Sequence, residues 1–229
     1  MLDIHCHLLP QMDDGSDCVE TANQILEQLD KQGVTQVAAT PHFFATQDTP
    51  EDFLRRRQES FDRLSMVAGT PKILLGAEVT YFDGMGRCAD LRKLAIGDTR
   101  LILVEMPFAD WTQRMISEVV RIKTELGLQP VLAHVERYRG RKQLPKFLQI
   151  LAEQGVAMQC NAQAFLTVNT RRWALSMAKN GYVQFLGTDA HNLSTRVPKY
   201  GQAVAVLEKS LPREIVTEMI GEIGEGGSL

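Results

Sequence analysis

The sequence predicts an α/β fold in which seven parallel strands alternate with helices and close into a distorted TIM-like (β/α)7 barrel. Apolar, β-branched runs recur along the 229 residues, and amphipathic stretches separate them. This strand-then-helix order favours parallel pairing through right-handed crossovers. No nucleotide-binding glycine fingerprint accompanies the repeats, which favours a closed barrel over an open sheet.

The seven predicted strands are short apolar runs. They cover residues 2–5, 34–40, 73–78, 101–106, 130–134, 156–161 and 183–188. Runs of this length, bounded by polar and turn residues, are typical of strands buried in a parallel sheet.

Amphipathic stretches between the strands predict helices over 18–32, 51–68, 110–126, 142–154 and 170–180. Several of these end at a glycine just before the next strand, namely Gly33, Gly127, Gly155 and Gly181. The least regular segment is 80–98, where glycines flank a short helical piece and a longer loop is expected. The Gly-rich tail 221–229 is expected to fray.

Composition predicts one soluble domain over residues 1–229. Apolar residues make up 44% and charged residues 23%, and no apolar run approaches the ~20 residues of a membrane span. We therefore expect no membrane insertion, and the absence of an export signal favours a cytoplasmic location. The net charge of −3 without a concentrated basic tract argues against nucleic-acid binding.

Polar side chains stand at the predicted carboxyl ends of the strands, and all five histidines are among them. The set comprises His5, His7, His42, Glu78, Glu105, His134, Asp189 and His191. In a barrel these ends converge on one face, and imidazoles with carboxylates form a ligand set for divalent cations. His5 and His7 are two residues apart, so an extended strand places both on the same face.

Each of these residues has an alternative interpretation when taken alone. A lone histidine is more often a hydrogen-bonded structural residue, and the Asp13–Gly15 segment reads equally well as a polar turn before a helix. Together, however, so many charges at strand ends would be costly without counterions, which favours a metal cluster. Arg137 and Arg196 lie in loops beside it, where a guanidinium can bind phosphate oxygens or form a surface salt bridge.

Cysteine-based phosphatase chemistry is excluded by the sequence. The four cysteines are scattered without a CxxC pair, and reduced thiols are expected. The residues six positions after them are Met12, Gln24, Leu94 and Leu166, whereas a cysteine phosphatase loop requires arginine there. Neither a P-loop nor a GxSxG elbow is present.

Six motifs resemble the PHP (polymerase and histidinol phosphatase) superfamily. They are Asp3-Ile4-His5-Cys6-His7, Asp13-Asp14-Gly15, Thr40-Pro41-His42, Gly76-Ala77-Glu78, Ala133-His134-Val135-Glu136-Arg137 and Thr188-Asp189-Ala190-His191-Asn192. More closely, they resemble the bacterial manganese-dependent tyrosine-protein phosphatases of capsule and exopolysaccharide operons. The matches run in order from residue 3 to about residue 196 and cover most of the chain.

The resemblance implies a PHP-type barrel with two or three divalent ions, manganese by analogy, although the ligand set also suits iron, zinc or cobalt. One ion would bind His5, His7, Glu78 and Asp189; Glu78 would bridge to a second ion on Glu105 and His134; Asp14, His42 and His191 would hold a third. Arg137 and Arg196 match the family's phosphate-binding positions.

The function that the resemblance implies is hydrolysis of phosphotyrosine on the tail of a bacterial tyrosine kinase that controls polysaccharide export. A cation-activated water would attack phosphorus without a covalent enzyme intermediate. Two alternatives stay open: a phosphatase of a small metabolite such as histidinol phosphate, and a non-catalytic, metal-binding regulatory module.

Overall fold

The computed structural model describes residues 1–64 and 70–224, in which parallel strands alternate with helices. The strands are β1 (Leu2–Cys6), β2 (Gln36–Ala39), β3 (His42–Phe43), β4 (Lys72–Leu75), β5 (Glu78–Thr80), β6 (Leu101–Glu105), β7 (Gln129–Leu132), β8 (Ala157–Asn161) and β9 (Phe185–Gly187). Every pairing between these strands is parallel. The predicted α/β class is therefore confirmed.

The helices are α1 (Val19–Lys31), α2 (Pro50–Asp62), α3 (Gln113–Thr124), α4 (Leu144–Glu153), α5 (Ala162–Leu166), α6 (Val168–Lys179), α7 (Tyr200–Ser210) and α8 (Arg213–Met219). Four correspond to predicted helices, and α2 to the described part of a fifth. The end of that prediction, 65–68, and the tail 225–229 lie outside the described residues. Helices α5, α7 and α8 were not predicted. The irregular segment 80–98 contains two 3-10 helices, Met85–Arg87 and Ala89–Leu94.

One predicted strand is divided in two and one further short strand was not predicted, so the prediction of seven continuous strands was wrong at these positions. The run 34–40 forms β2, and the unpredicted strand β3 follows it after Pro41, which has no N–H to donate to a ladder. The run 73–78 ends as β4 and resumes as β5 after Gly76, where an added Cβ would lie 2.9 Å from Ile96 Cγ1. Glu78 therefore begins a strand segment instead of ending one.

The strands form two sheets, ordered β1-β2-β4 and β3-β5-β6-β7-β8-β9. Strand β1 also lies beside β9 at the far end of the larger sheet: Cys6 forms a parallel bridge with Ala190, and the amide of Asp189 donates to the carbonyl of His5 at 2.7 Å. The sheets are thus curled, which brings the first and last strands together.

A small apolar cluster packs between the strands. It combines side chains from six strands, including Leu2, Ala38, Leu74, Leu103, Val131 and Phe185. A larger cluster lies under the helices; α1 contributes Ala22, Ile25, Leu26 and Leu29, spaced as one buried helical face. Among the described residues, no helix is both long and apolar enough to cross a membrane.

Candidate metal centre

The nine candidate ligands named from the sequence lie together in the structure. They are His5, His7, Asp14, His42, Glu78, Glu105, His134, Asp189 and His191, and each is within 4 Å of at least one other member. Most are buried, whereas the Asp14 side chain is 66% exposed. The strand ends thus bring residues distant in the chain into one cluster.

Glu78 is the centre of this cluster. Its Oε2 atom lies 3.2 Å from His5 Nε2, from His7 Nε2 and from His42 Nδ1. Its Oε1 atom lies 2.9 Å from His134 Nε2. One carboxylate that is 1% exposed therefore contacts four of the five imidazoles of the protein.

Three groups of ligand atoms are compact enough to hold a cation, with all atoms of a group within 4.8 Å of one another. The groups are His7, Asp14, His42 and His191; His5, His7 and Asp189; and His42, Glu78 and Glu105. The grouping differs from the assignment implied by the resemblance in each of the three sites: His7 joins the first group, Glu78 is absent from the second, and His42 replaces His134 in the third. His134 Nε2 nevertheless lies 3.4 Å from Glu105 Oε1.

The hydrogen bonds of His5 and His7 direct their free nitrogens at each other. His7 Nδ1 lies 2.6 Å from Asp13 Oδ2, and His5 Nδ1 lies 3.2 Å from Gln159 Oε1. Both partners are acceptors, so each Nδ1 carries the proton and each Nε2 keeps a lone pair when the ring is neutral. The two Nε2 atoms are only 3.1 Å apart.

Two lone pairs and the Glu78 carboxylate at such distances repel one another unless a cation or a proton lies between them. Burial alone would lower the pKa of His7, but the carboxylates of Asp13 and Glu78 outweigh it and raise that pKa to about 10. This site therefore draws in positive charge. A divalent ion fits the donor set, since it would satisfy several lone pairs that one proton cannot.

His191 also offers a ligand atom that the protein leaves free. Its Nδ1 lies 3.0 Å from its partner, the carbonyl of Asp189, whereas the buried Nε2 makes no hydrogen bond although Asp14 Oδ1 is 3.3 Å away. Burial, together with the charge of His7, lowers the pKa of His191 to about 3. A neutral imidazole with its lone pair directed at a carboxylate is the form that binds a metal.

Two candidate ligands have left-handed backbone conformations, with φ of 33° at His134 and 54° at Asp189. Residues other than glycine rarely adopt this conformation, which costs of order 1–3 kcal/mol and tends to occur at functional sites. At His134 the left-handed turn starts the 3-10 helix Val135–Tyr138, which carries Arg137. The strained turn therefore places a candidate ligand and a candidate phosphate-binding residue side by side.

Both arginines predicted from the sequence contact Asp189. Arg137 Nη2 pairs with Asp189 Oδ2, and Arg196 Nη2 lies 2.6 Å from Asp189 Oδ1. Asn161 Nδ2 also donates to Asp189 at 2.9 Å. The two arginine side chains are 34% and 33% exposed, so both still reach solvent beside the cluster.

Sequence reasoning missed the role of Asp13, which is the more buried member of the Asp13-Asp14 pair. Its carboxylate accepts from His7, from the amide of His42 at 2.8 Å and from the amide of Gly15 at 2.9 Å. Gly15 packs so tightly here that an added Cβ would lie 2.4 Å from the carbonyl oxygen of His7. A glycine two residues after an acid was the available signal. Gln159, which orients His5, had no such signal.

Asp13→Asn is expected to weaken metal binding by about 10- to 100-fold, because the carboxylate that orients His7 and increases its basicity becomes a neutral amide. The apparent dissociation constant for Mn²⁺ would be measured by titrating activity of the chelator-treated protein. Asp17→Asn is the matched control, since Asp17 bonds to Thr21 at 2.7 Å and not to a candidate ligand. An unchanged constant for Asp13→Asn would show that His7 needs no such support.

Several proteins of known activity are similar to this chain over most of its length. Tyrosine-protein phosphatase YwqE of Bacillus subtilis is 29% identical over 223 residues, which cover 94% of this chain and 87% of that protein. Tyrosine-protein phosphatase CpsB of Streptococcus pneumoniae is 27% identical over 224 residues, covering 91% of this chain and 90% of that protein.

Solved structures show the same relationship. A chain from the crystal structures of YwqE from Bacillus subtilis and CpsB from Streptococcus pneumoniae, described as metal-dependent tyrosine phosphatases, has a TM-score of 0.77 at 27% identity and covers 94% of this chain and 90% of its own. L-hydantoinase from Arthrobacter aurescens shares the fold alone, with a TM-score of 0.57 at 12% identity over 96% of this chain and 69% of its own. The family model for capsular polysaccharide synthesis proteins CpsB/CapC matches residues 1–224, and the chain therefore belongs to the CpsB/CapC family.

Proposed function

We propose that this chain is a metal-dependent tyrosine-protein phosphatase of capsule or exopolysaccharide synthesis. The observation that carries the proposal is the cluster of four imidazoles around Glu78, found in a chain whose relatives are tyrosine-protein phosphatases. Its substrate would be phosphotyrosine on a protein, and a bacterial tyrosine kinase is the partner that the family resemblance suggests.

The nine clustered residues would hold two or three divalent cations, with manganese as the preferred metal by resemblance. Bound cations would supply an activated water for in-line attack on phosphorus and would neutralise phosphoryl charge. Asp13 and Gln159 fix the tautomers of His7 and His5 so that both Nε2 atoms face the centre. Glu78, in contact with four imidazoles, would contribute ligand atoms to more than one cation.

Arg137 and Arg196 would bind the phosphoryl oxygens. A guanidinium is always protonated and cannot bind a cation, but it can donate two parallel hydrogen bonds to phosphate. With a cation on Asp189, each arginine would exchange its carboxylate partner for the substrate. A tyrosinate leaving group has a parent pKa of about 10, so it needs less protonation than an alkoxide.

We also infer that the seven strand positions close into one barrel and that residues 1–229 form a single domain. The bridge between Cys6 and Ala190 next to β9 supports closure. The continuation of β2 into β3 and of β4 into β5 supports seven positions rather than nine.

The proposed function is tested by comparing Mn²⁺-supported hydrolysis of a phosphotyrosine peptide, a phosphoserine peptide and histidinol phosphate. We expect the highest kcat/KM with the phosphotyrosine peptide and no turnover after chelation. Preference for histidinol phosphate would favour the metabolite phosphatase instead. Full metal loading without turnover of any of the three would indicate a non-catalytic module.

None of the cysteines is expected to take part in catalysis. Burial raises the pKa of the Cys6 and Cys160 thiols well above their ordinary value, so neither forms the thiolate that a nucleophile requires. Cys6→Ala and Cys160→Ala, each made singly, should retain most of the turnover of the folded fraction, as should Cys18→Ser and Cys88→Ser. Circular dichroism would establish folding. Complete loss of activity in a folded single variant would contradict the metal mechanism.

A further inference from the structure

An exposed aromatic ring lies at the edge of the metal centre. Phe108 is 56% exposed and, with Val168, is one of two large hydrophobic side chains exposed among the described residues. It follows β6 by three positions, and that strand ends at the candidate ligand Glu105. Its ring is nearly parallel to that of His134, with an interplanar angle of 13° and centroids 6.1 Å apart. An apolar ring is thus presented to solvent next to a candidate ligand.

Buried aromatic residues hold Phe108 in this position. Its ring stacks on Tyr138 with centroids 5.3 Å apart, and Trp111 packs edge-on against Tyr138 at 4.8 Å. The Tyr138 hydroxyl donates to the carbonyl of Met106 at 2.7 Å, and Trp111 Nε1 donates to the carbonyl of Pro107 at 3.1 Å. The two residues before Phe108 are therefore fixed, and the ring is preorganised rather than loosely placed.

We propose that Phe108 is the platform on which the phenyl ring of phosphotyrosine stacks. This inference rests on the proposed function, whose metals and arginines would hold the phosphoryl group. Arg137, one proposed phosphate-binding residue, and Tyr138, on which Phe108 stacks, belong to the same 3-10 helix, Val135–Tyr138, which begins after His134. Only one ester oxygen separates phosphorus from the ring of phosphotyrosine, so an aromatic side chain next to a candidate metal ligand is within reach of that ring. Offset stacking of two aromatic rings is favourable beyond the area it buries.

A second aromatic ring near the centre is a poorer platform. Phe44 stacks on His42 with centroids 5.2 Å apart, but it is only partly exposed. It lines a cavity of about 520 Å³ with three carboxylates, Asp13, Asp14 and Asp48, and with Arg56, whose guanidinium pairs with Asp48 at 2.5 Å. Carboxylates outnumber the guanidinium there, which makes this cavity unfavourable for an anionic side chain. Phe108 instead stacks on Tyr138, which belongs to the same 3-10 helix as Arg137.

The platform is tested with Phe108→Ala, Phe108→Leu and Phe108→Tyr, using a phosphotyrosine peptide as substrate and inorganic phosphate as inhibitor. KM should rise roughly 2- to 10-fold in the alanine and leucine variants and stay near wild type in the tyrosine variant, because only an aromatic ring restores stacking. The inhibition constant of inorganic phosphate, which has no ring, and the metal content should not change. Val168→Ala, at the other exposed hydrophobic residue, is the matched control with an unchanged KM.

Three results would overturn the platform. One is an unchanged KM in Phe108→Ala. A second is a loss of metal content or of phosphate inhibition in Phe108→Ala together with the raised KM, which would mean that the ring shields His134 from solvent and does not bind the substrate. The third is a raised KM in Phe44→Ala with none in Phe108→Ala. Failure of the wild-type protein to hydrolyse phosphotyrosine would overturn the proposed function itself. If the wild-type protein hydrolyses phosphotyrosine and any of these three results is found, only the stacking role of Phe108 is rejected.

Discussion

Glu78→Gln is expected to cause the largest loss of metal and activity of any single substitution at the centre. The change preserves shape but removes the charge that contacts His5, His7, His42 and His134. Those imidazoles and the burial of the site act in opposite directions on Glu78: burial favours the neutral acid, but the histidines outweigh it and hold its pKa well below the ordinary value. The carboxylate is therefore ionised at neutral pH and available as a ligand for cations.

Loss of one partner from a buried charged network costs about 3–5 kcal/mol, which corresponds to about 10²- to 10⁴-fold in binding or rate. Elemental analysis should show fewer ions bound per chain in Glu78→Gln than in wild type. The melting temperature of the variant should also rise less when Mn²⁺ is added, because stabilisation by a ligand depends on its affinity for the folded state.

Glu118→Gln is the matched control for this substitution. Glu118 is a buried glutamate that bonds to the amide of Gly86 at 3.1 Å and to Arg121 at 2.8 Å, and not to a candidate ligand. Its replacement should lower the melting temperature with and without Mn²⁺ equally and leave metal content intact. If Glu78→Gln bound as much metal as wild type, Glu78 would not be a metal ligand.

The ligand cluster was predictable because the carboxyl ends of parallel strands meet at one edge of the sheet. Strand β6 illustrates this, since the predicted run 101–106 closely matches Leu101–Glu105 and leaves Glu105 at its end. The two-residue period of an extended strand predicted one orientation for His5 and His7, in agreement with the 3.1 Å between their Nε2 atoms. Hydrophobic pattern alone was sufficient here, because these strands are buried on both faces.

Local backbone breaks and hydrogen-bond partners were not predictable from that pattern. The predicted run 73–78 passed through Gly76, where β4 and β5 divide, and the run 34–40 stopped before Pro41, so that β3 was not predicted. The pattern also could not show that Asp13, rather than its neighbour, would be buried against His7, since two adjacent carboxylates in a turn are equivalent in sequence. Such choices depend on tertiary packing around Gly15.

Arg137→Ala and Arg196→Ala are each expected to lower kcat/KM for a phosphotyrosine peptide by about 10²- to 10³-fold, equivalent to about 2.7–4 kcal/mol, as when one preorganised oxyanion donor is removed. Metal content should not fall in either variant. Both guanidinium groups contact Asp189 in the structure, so their removal frees carboxylate oxygens for a cation instead of removing a ligand.

Arg139→Ala is the matched control for these variants, because Arg139 lies two residues after Arg137 and is exposed. The Arg139→Ala variant should keep the wild-type metal content and kcat/KM. If the arginines acted only by attracting an anionic peptide through their positive charge, kcat/KM would fall in all three variants. If Arg137→Ala lost metal as severely as Glu78→Gln, the arginines would instead serve to orient Asp189. If both arginine variants kept their metal and lost turnover, the arginines would be assigned to the phosphoryl group. The cations would then still be bound, but the phosphoryl oxygens would lack their hydrogen-bond donors.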